Sequence, residues 1–439
     1  MNEIAFRDYG EFLVVYSVYT KNYLLIQDIY SDFFRKLYIE KKSKEEVTKA
    51  VSEEYKVDCL VVRQDLENFC TEFNNTVYAN EASFTNSKAQ SFEIQQIFDI
   101  MAQSLIPFSA TIEITDSCNL RCVHCYRGER STSYWSANNF EQVLIELKEL
   151  GTLNLTITGG EPFSHPLICE FLEMTKKYGF VVSIQSNLLL LNDEILSELK
   201  KNIISDVSVS LYSMVDSEHD LITQSQGSLK ITKENVKRLI DNDIPVSLNC
   251  PIMIYNQNAM PALREFATKL GIEVKFALKI IPSQDRSLHI EDYNVFSKDF
   301  ILDAIKNPQI CLYQKELENI RQSRPNQRYC QTGFRSITLD AQGNMLICNA
   351  YRKQCGSLNS TSIKTLWYKS TNLNIWRKQT SLVIQKCLDC PAYAYCEPCP
   401  AHAFTQSGNE SDIDETTCLF GKAFYAADMA YLGKDGEME

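Results

Sequence analysis

Three cysteines lie within eight residues of the segment "TDSCNLRCVHCYRG" (115–128), at Cys118, Cys122 and Cys125. A structural zinc site takes four ligands and a disulfide takes two thiols, so three thiols fit neither arrangement by themselves. A [4Fe–4S] cluster has four irons, and three thiolates would leave the fourth iron open to a small molecule. The spacing therefore predicts an iron–sulfur cluster with one open position. The alternative is a zinc site in which His124 or a distant ligand joins the cysteines.

Three further motifs come at the ends of apolar segments that have the pattern of strands. They are "TGGEP" (158–162), "SIQSN" (183–187) and "SVSLYS" (208–213). From residue 107 onward, six such strands alternate with helical segments, which predicts a parallel sheet with helices outside it. The carboxyl ends of the strands in such folds carry the ligand site. We therefore expect one site to combine the cysteine loop with the polar tips of these motifs, namely Gly159, Gly160, Ser186, Asn187 and Ser210.

A second set of cysteines lies near the carboxyl end of the chain. Its members are Cys330, Cys348, Cys387, Cys390, Cys396, Cys399 and Cys418. The segment "RSITLDAQGNMLICN" (335–349) predicts a β-hairpin with Gly343 in the turn. These seven thiolates are one short of what two four-iron clusters require, and the eighth ligand is Cys311, Cys355 or absent. The alternative is a pair of zinc knuckles, because C-x2-C pairs are common zinc ligands.

The composition is that of a globular protein, with 44% hydrophobic and 23% charged residues. A net charge of −12 argues against nucleic-acid binding, which needs a basic surface. No apolar run is long enough to span a membrane, and the amino terminus lacks the layout of a signal peptide. We therefore expect a cytoplasmic protein that binds neither nucleic acid nor membranes. Its 16 cysteines then indicate metal rather than disulfides.

Four segments are expected along the chain. Residues 1–85 contain two short strands and three helical segments, an order that fits a winged-helix-like domain. Within it, Ser31 is predicted to be the N-cap of the first helix, and Ser43 with Glu46 to form a capping box. The remaining segments are a linker at 86–106, a barrel core at 107–310, and a bridging and cysteine-rich region at 311–439.

The C-x3-C-x2-C spacing and the "TGGEP" segment resemble those of the radical SAM superfamily. The resemblance implies an α/β fold with a partial (β/α)6 TIM-like barrel. In that family the open iron chelates S-adenosylmethionine, and one electron releases a 5′-deoxyadenosyl radical that abstracts a hydrogen atom from the substrate. The resemblance also implies which residues contact S-adenosylmethionine. They are Tyr126 near the adenine, Gly159, Gly160 and Glu161 near the methionine amino group, and Ser186, Asn187 and Ser210 near the ribose or carboxylate. The family more often has glycine at the position of Leu188.

The second cysteine set resembles the SPASM extension of radical SAM peptide-modifying enzymes. The last short spacer has two residues here, where the family commonly has three. This resemblance implies two auxiliary [4Fe–4S] clusters and therefore three clusters in all. One auxiliary cluster would take Cys387, Cys390, Cys396 and Cys418. The other would take Cys330, Cys348 and Cys399, with Cys311 as the favoured eighth ligand.

A winged-helix-like domain followed by a radical SAM barrel and a SPASM region resembles the maturases of ribosomally made peptides. In them a PqqD-like domain grips the leader of a precursor peptide by strand addition. The resemblance implies an oxidoreductase that forms an intrapeptide cross-link. This is either a carbon–carbon bond, such as the lysine–tryptophan bond of streptide-type peptides, or a thioether. An external electron donor such as flavodoxin or ferredoxin is also implied.

Two other functions are open at this point. An anaerobic sulfatase-maturing enzyme would share the barrel and the SPASM region, but it would have no need of residues 1–85. A non-catalytic binding protein with zinc knuckles would need a basic recognition helix, and "VVRQDLENFCTEF" (61–73) is acidic on balance. The sequence therefore favours the peptide-modifying enzyme.

Overall fold

The computed structural model contains an amino-terminal module, a nine-stranded sheet with flanking helices, and a cysteine-rich region. The described residues are 4–78, 94–127, 131–278, 280, 293–295, 332–379, 387, 390–396, 399–410, 412–413 and 415–431. The predicted ligands Cys311 and Cys330 lie outside them. Within these ranges, no helix is both long and apolar enough to cross a membrane.

The amino-terminal module begins with a three-stranded antiparallel sheet, in which the second strand is central. Its strands are β1 (Ile4–Asp8), β2 (Phe12–Ser17) and β3 (Tyr23–Gln27). Its helices are α1 (Asp28–Phe34), which continues as a π-helical turn (Arg35–Ile39), α2 (Lys44–Tyr55) and α3 (Cys59–Tyr78). All of β2 is buried, because helices cover one face of the sheet and the barrel covers the other. The sequence predicted β2, β3 and the helices, but not β1.

The helix starts of this module were predicted with mixed success. The capping box of α2 is present, since the Ser43 hydroxyl accepts from the Glu46 N–H at 3.3 Å and the Glu46 carboxylate accepts from the Ser43 N–H at 2.8 Å. The prediction of Ser31 as an N-cap is wrong. Helix α1 begins at Asp28, and the buried Ser31 hydroxyl donates to the Ile26 carbonyl. A serine hydroxyl bonds to nearby carbonyls as readily as to N–H groups, so residue type alone does not locate a helix start.

The main sheet consists of nine strands. They are β4 (Ser109–Thr115), β5 (Asn154–Gly159), β6 (Val181–Ser186), β7 (Ile204–Ser210), β8 (Val246–Pro251), β9 (Glu273–Ala277), β10 (Ser336–Leu339), β11 (Asn344–Leu346) and β12 (Gln354–Ser357). Their order is β12-β11-β10-β4-β5-β6-β7-β8-β9. Strands β4 to β9 pair in parallel, in chain order. This confirms the predicted α/β class and the six-stranded parallel core.

Helices connect the parallel strands and continue into the carboxyl-terminal part. They are α4 (Ile94–Gln103), α5 (Ala137–Glu149), α6 (Ile168–Tyr178), α7 (Asp193–Lys201), α8 (Asp216–Thr223), α9 (Ser228–Ile240), α10 (Met260–Leu270), α11 (Ile363–Lys369), α12 (Thr371–Gln379), α13 (Pro400–Ser407) and α14 (Glu415–Tyr431). Helix α4 lies inside the segment predicted as a linker (86–106). Its Ile97 and Met101 are fully buried against the amino-terminal module, so this segment is part of the packed fold.

The two faces of the parallel strands differ in chemistry. One face carries side chains such as Ile112 and Val207, which are fully buried in the apolar core. The other face is polar, and the Thr156 hydroxyl lies 2.9 Å from the Ser183 hydroxyl on the next strand. Gln185 on this face is exposed. The inside of the partial barrel is therefore a polar space rather than a packed core.

The amino-terminal module packs on the amino ends of the barrel strands. Val14 of β2 shares an apolar cluster with Phe108, which directly precedes β4. Arg7 of β1 is 6% exposed. Its Nε donates to the Thr152 carbonyl at 2.7 Å and its Nη1 to the Gly179 carbonyl at 2.8 Å. Thr152 and Gly179 lie just before β5 and β6, so the module sits at the opposite end of the strands from the cysteine loop.

The hairpin of the cysteine-rich region joins the main sheet. Strand β10 pairs in parallel with β4 and antiparallel with β11. Gly343 occupies the turn with a φ of +79°, as the sequence predicted. The sequence did not predict that this hairpin extends the barrel sheet, and the pairing brings the cysteine-rich region against the strand that leads to the cysteine loop.

Candidate functional site

The cysteine loop (residues 116–127) follows β4. Cys118, Cys122 and Cys125 line one cavity at the carboxyl ends of the barrel strands. The Cys125 N–H donates to the Cys122 carbonyl at 3.1 Å, which forms a tight turn between the second and third thiols. Helix α8 supports the loop from outside, because the Val123 N–H donates to the Ile222 carbonyl at 2.9 Å. The loop is thus held in a defined backbone path.

Two glycines let β5 approach the cysteine loop more closely than other residues would. A Cβ atom on Gly160 would lie 2.1 Å from the Ser117 carbonyl oxygen, and one on Gly159 would lie 2.3 Å from the Thr115 carbonyl oxygen. Gly159 also has a φ of +141°. The N–H groups of Gly160 and Glu161 donate to the carbonyls of Thr115 and Ser117, both at 2.8 Å. These bonds fix the residues directly before the first cysteine.

Glu161 is a buried carboxylate with three donors. It accepts hydrogen bonds from the Ser186 hydroxyl at 2.7 Å and from the backbone N–H groups of Asn187 at 2.8 Å and Phe163 at 3.0 Å. Burial raises the pKa of Glu161 to about 7, although these donors favour the charged form. No charged group among the described residues offsets this burial. A cationic ligand in the cavity would supply the missing positive charge.

Asn187 connects this carboxylate with the first cysteine. Its side-chain Nδ2 donates to Asn119 Oδ1 at 2.9 Å and lies 4.0 Å from the Cys118 sulfur. Leu188 follows with a φ of +62° and is fully buried. Its N–H donates to the Ser186 hydroxyl at 2.9 Å. The position of Leu188 thus has the backbone conformation that glycine adopts most easily, although it carries a side chain here.

The ten residues predicted for the first site line one cavity of about 280 Å³. They are Cys118, Cys122, Cys125, Tyr126, Gly159, Gly160, Glu161, Ser186, Asn187 and Ser210. Tyr126 is half-buried, and the desolvation of its phenol raises the pKa of Tyr126 to about 12. The structure therefore brings together residues from the cysteine loop and from the ends of β5, β6 and β7.

Several cavity residues were not predicted as site residues. Tyr212 lines the cavity, and its hydroxyl donates towards the Cys122 sulfur at 3.9 Å. Gln185 and Asn249 present amides from β6 and β8. Tyr212 follows Ser210 by two positions in the "SVSLYS" motif, so strand alternation could have suggested it. Asn249 had no such signal, because its motif carried no recognisable chemistry.

His124, the alternative zinc ligand, lines the same cavity as the three cysteines. Its ring packs edge-on against Tyr212 at 4.9 Å between centroids, and its Nδ1 is buried without a hydrogen-bond partner. Burial lowers the pKa of His124 to about 4. Among the residues that the structure describes, no three His, Cys, Asp or Glu side chains converge on a single ion position.

Four cysteines of the second set lie close to one another. Burial, together with the neighbouring thiols of Cys390 and Cys418, raises the pKa of Cys387. Cys396 packs against helix α14, which carries Cys418. A Cβ atom on Gly421 of that helix would lie 2.9 Å from the Cys396 Cβ. The glycine therefore makes room for Cys396, one of the group of four (Cys387, Cys390, Cys396 and Cys418) that was predicted to hold one auxiliary cluster.

The remaining cysteines of the second set are only partly described. Cys348 and Cys399 both pack against the main apolar core, while Cys330 and Cys311 lie outside the described residues. Cys355 lies in β12, and burial raises the pKa of its thiol to about 11. The identity of the eighth ligand therefore stays a prediction.

The residues that are present fit iron–sulfur clusters. At the first site, three thiols and the buried Glu161 face one cavity, and no charged group in the described part of the chain offsets the burial of this carboxyl. At the second, Cys396 packs so closely on Gly421 of the helix that carries Cys418 that a side chain at this position would displace it. Thiolates are the ligands that hold such clusters in proteins.

Comparisons with known families agree with this geometry. Residues 112–267 match the model of the Radical SAM superfamily, and residues 330–391 match SPASM, an iron-sulfur cluster-binding domain. The first range contains the cysteine loop and strands β5 to β8. The second contains the hairpin and the first two cysteines of the group of four.

Individual relatives share parts of the chain. The subtilosin biosynthesis protein AlbA of Bacillus subtilis is 27% identical over 265 residues, which are 57% of this chain and 56% of AlbA. The chain thus matches about half the length of this curated relative.

Solved structures share the fold over longer stretches. Streptococcus suis SuiB bound to its precursor peptide SuiA has a TM-score of 0.63 at 14% identity, over 95% of this chain and 99% of SuiB. The structure of anSMEcpe with bound AdoMet and Cp18Cys peptide has a TM-score of 0.60 at 14% identity, over 74% of this chain and 97% of anSMEcpe. At these identities the likeness concerns the fold. The two family matches place a Radical SAM domain at residues 112–267 and a SPASM domain at residues 330–391 of this chain.

Proposed function

We propose that this chain is an oxidoreductase that modifies a ribosomally made precursor peptide by radical chemistry. The observation that carries the proposal is the cavity that combines three thiols with a buried carboxylate at the carboxyl ends of the strands. The polar inner face of the barrel leaves space beside this cavity for a peptide side chain. The external electron donor would be a small redox protein such as flavodoxin or ferredoxin.

The chain's own residues have distinct tasks in this proposal. A [4Fe–4S] cluster on Cys118, Cys122 and Cys125 would supply the electron that cleaves S-adenosylmethionine to methionine and a 5′-deoxyadenosyl radical. Glu161 would bind the methionine ammonium, because its carboxylate is buried without a positive neighbour. Ser186, held at 2.7 Å from that carboxylate, would keep it oriented.

The proposed reaction on the peptide is an oxidative cross-link. A C–H group of the core peptide gives up one hydrogen atom and becomes a carbon radical. This carbon forms a bond to a neighbouring side chain, which loses one proton and one electron. The peptide therefore loses two hydrogen atoms in total, and the electron leaves through the auxiliary clusters. A carbon–carbon bond and a thioether both satisfy this balance. We favour the carbon–carbon bond if Cys311 completes the second auxiliary cluster, because no iron is then open to a substrate thiolate.

The amino-terminal module offers an edge for the leader of the precursor. Strand β3 is at the edge of its sheet, with one side available for a further strand. Beside it, Tyr30 of α1 is 41% exposed and stacks on Phe69 of α3 at 5.6 Å. Burial and the nearby carboxylates of Glu72 and Asp65 raise the pKa of Tyr30. This acidic and aromatic surface suits a leader segment with basic and apolar side chains.

The same module supports the peptide maturase over the sulfatase-maturing alternative. It accounts for residues 4–78, and its sheet is packed on the barrel through β1 and β2. The fold likeness to SuiB covers 95% of the chain, and that to anSMEcpe covers 74%. A sulfatase-maturing enzyme would have no need of a leader-binding domain.

The proposal is tested by co-expression with candidate precursor peptides encoded beside the gene. We expect one peptide to lose the mass of two hydrogen atoms, and tandem mass spectrometry to locate a link between two residues. Replacing Asp65 and Glu72 by Asn and Gln should reduce the modified fraction. A matched pair in α2, Glu53→Gln with Glu54→Gln, should not. Unmodified peptides alongside a protein that cleaves S-adenosylmethionine would contradict the assignment of a peptide substrate.

A further inference from the structure

The cysteine loop is connected at both of its ends to the hairpin of the cysteine-rich region. Asp116 is the first residue of the loop and Arg127 is its last. Arg127 donates to Asp116, which closes the base of the loop. Gln342, in the turn between β10 and β11, donates from Nε2 to the same carboxylate. The hairpin therefore contacts the loop at the point where the loop leaves the barrel.

A second connection lies one layer deeper. Glu113 of β4 is completely buried, and its carboxylate lies 3.3 Å from Arg127 Nη1. Arg352, which follows β11, donates from Nη1 to both carboxylate oxygens of Glu113 at 2.8 Å. Arg352 Nη2 also lies 3.7 Å from the Asp340 carboxylate. One buried carboxylate thus joins the loop arginine with the hairpin arginine.

A tryptophan connects the backbones of the same two parts. The Trp135 Nε1–H lies 3.0 Å from the Glu113 carbonyl and 3.1 Å from the Asp340 carbonyl. Glu113 belongs to β4 and Asp340 follows β10, so this shared donor reinforces the pairing of those two strands. The charged side chains and the backbone are therefore held by one set of contacts.

Buried charges are costly to desolvate, so they impose a geometry in which each has its partners. Glu113 has its full set of partners only while the hairpin lies against β4. Arg127 lines the cavity, and within the described part of the chain its Nη1 has only the ion pair with Glu113. A displacement of the hairpin would therefore move a cavity residue adjacent to Tyr126.

We propose that Arg352 and Gln342 are positioning residues, through which the auxiliary domain holds the cysteine loop in the shape that binds S-adenosylmethionine. Neither residue lines the cavity; they act through Glu113, Asp116 and Arg127. The inference rests on the proposed role of the cysteine loop. It extends that role, because S-adenosylmethionine binding at the cysteine loop then depends on the packing of the cysteine-rich region against β4.

The test compares three variants of the full chain after anaerobic reconstitution. Arg352→Lys keeps the charge but has a single terminal nitrogen, which cannot replace both Nη1 on Glu113 and Nη2 beside Asp340. Gln342→Ala removes one neutral donor and leaves Asp116 with Arg127. The control is Lys353→Met. Lys353 lies in the same segment as Arg352, but its Nζ pairs with the Glu410 carboxylate at 2.9 Å, away from the cysteine loop. Iron content, equilibrium binding of S-adenosylmethionine and the change in the EPR spectrum on its addition are measured.

We expect all variants to hold as much iron as the parent protein. Arg352→Lys should bind S-adenosylmethionine about tenfold more weakly, Gln342→Ala should show a smaller loss, and Lys353→Met should match the parent. Equal binding by the parent, Arg352→Lys and Gln342→Ala would overturn the inference. So would an equal loss in Lys353→Met. If Arg352→Lys does not fold, Gln342→Ala decides the question alone. Failure of the parent itself to bind iron or S-adenosylmethionine would instead contradict the proposed function.

Discussion

The two ends of the parallel barrel strands are built differently. At the carboxyl end, three thiols and Glu161 surround a cavity, and the pKa of this carboxyl stands near 7 because burial is not offset by a positive charge. At the amino end, Arg7 and the module sheet fill the space, and the arginine donates to carbonyls that precede β5 and β6. One end arranges thiols and a buried carboxyl around a cavity, while the other pairs its polar groups with backbone carbonyls of the protein.

At the amino end, buried polar side chains have hydrogen-bond acceptors within the protein. The Tyr9 hydroxyl donates to the Gly151 carbonyl at 2.8 Å, and the Tyr23 hydroxyl donates to Asn154 Oδ1 at 2.5 Å. Burial raises the pKa of both phenols, so both remain neutral donors. The contrast teaches that the two ends of the strands have different tasks. The amino ends bind the amino-terminal module, and the carboxyl ends form the candidate site. Changes at the amino end should affect stability, and changes at the carboxyl end should affect S-adenosylmethionine cleavage.

The largest effect is expected from Gly160→Ala at the carboxyl end. The added Cβ would lie 2.1 Å from the Ser117 carbonyl oxygen, so the cysteine loop must move. We expect loss of 5′-deoxyadenosine formation, measured by liquid chromatography. Gly271→Ala is the control, because it has a φ of +67° but no atom within 4 Å of its Cβ. It should cost roughly 1 kcal/mol of stability and leave cleavage intact. Equal activity of the two variants would break the comparison.

A pH-dependent effect is expected from Glu161→Gln. The pKa of Glu161 is about 7 in the folded protein against 4.5 for the free side chain. The folded state therefore binds the Glu161 proton more tightly than the unfolded state does, which stabilises the fold. This stabilisation is full below pH 4.5 and is lost as the pH rises to 7. The free energy of unfolding of the metal-free parent should fall by roughly 3 kcal/mol more than that of the variant across this range. If the free energies of unfolding of the parent and of Glu161→Gln, measured by urea titration, changed equally with pH, the raised pKa of Glu161 would be refuted.

At the amino end, Arg7→Met should reduce stability without affecting cleavage. The change leaves the carbonyls of Thr152 and Gly179 without their buried donor, which costs about 2 kcal/mol. Urea unfolding should report this loss, while 5′-deoxyadenosine formation without peptide stays at the parent level. Lys36→Met is the matched control in the same module. It removes a pair with the largely exposed Glu54 and should change stability by less than about 0.5 kcal/mol. A loss of cleavage in Arg7→Met would show that the two ends are coupled.

The smallest effect is expected from Ser43→Ala, far from both ends of the barrel. It removes the hydroxyl that accepts from the Glu46 N–H at the start of α2. Substitution of a serine N-cap costs about 1 kcal/mol. Thermal unfolding should show a small decrease in the midpoint, with cleavage unchanged. No measurable decrease would mean that solvent replaces the cap.

The sequence predicted those parts that short motifs specify. The position of the cavity on the sheet could be predicted from three features. They are the cysteine spacing, the glycines at 159 and 160, and the alternation of strands and helices. The turn at Gly343 and the capping box at Ser43 were also predicted correctly, because each depends on a few neighbouring residues. Local chemistry of this kind is readable without the fold.

Contacts between distant residues were not readable. Glu113 and Arg352 are 239 positions apart, and nothing in their own segments marks them as partners. Strand β1 was missed because "IAFRD" is short and becomes a strand only by pairing with β2. Helix α4 was taken for part of the linker because the polar stretch before it suggested a linker that continued to residue 106. In each case the deciding interaction is tertiary.

The most direct test of the account is an iron and sulfide count after anaerobic reconstitution, with 5′-deoxyadenosine measured under dithionite. The parent protein is compared with a variant in which Cys118, Cys122 and Cys125 are replaced by Ala. We expect about twelve irons per chain in the parent, from three four-iron clusters. The variant should lose a third of the iron and all 5′-deoxyadenosine formation. Stoichiometric zinc with no iron and no 5′-deoxyadenosine in the parent would contradict the account.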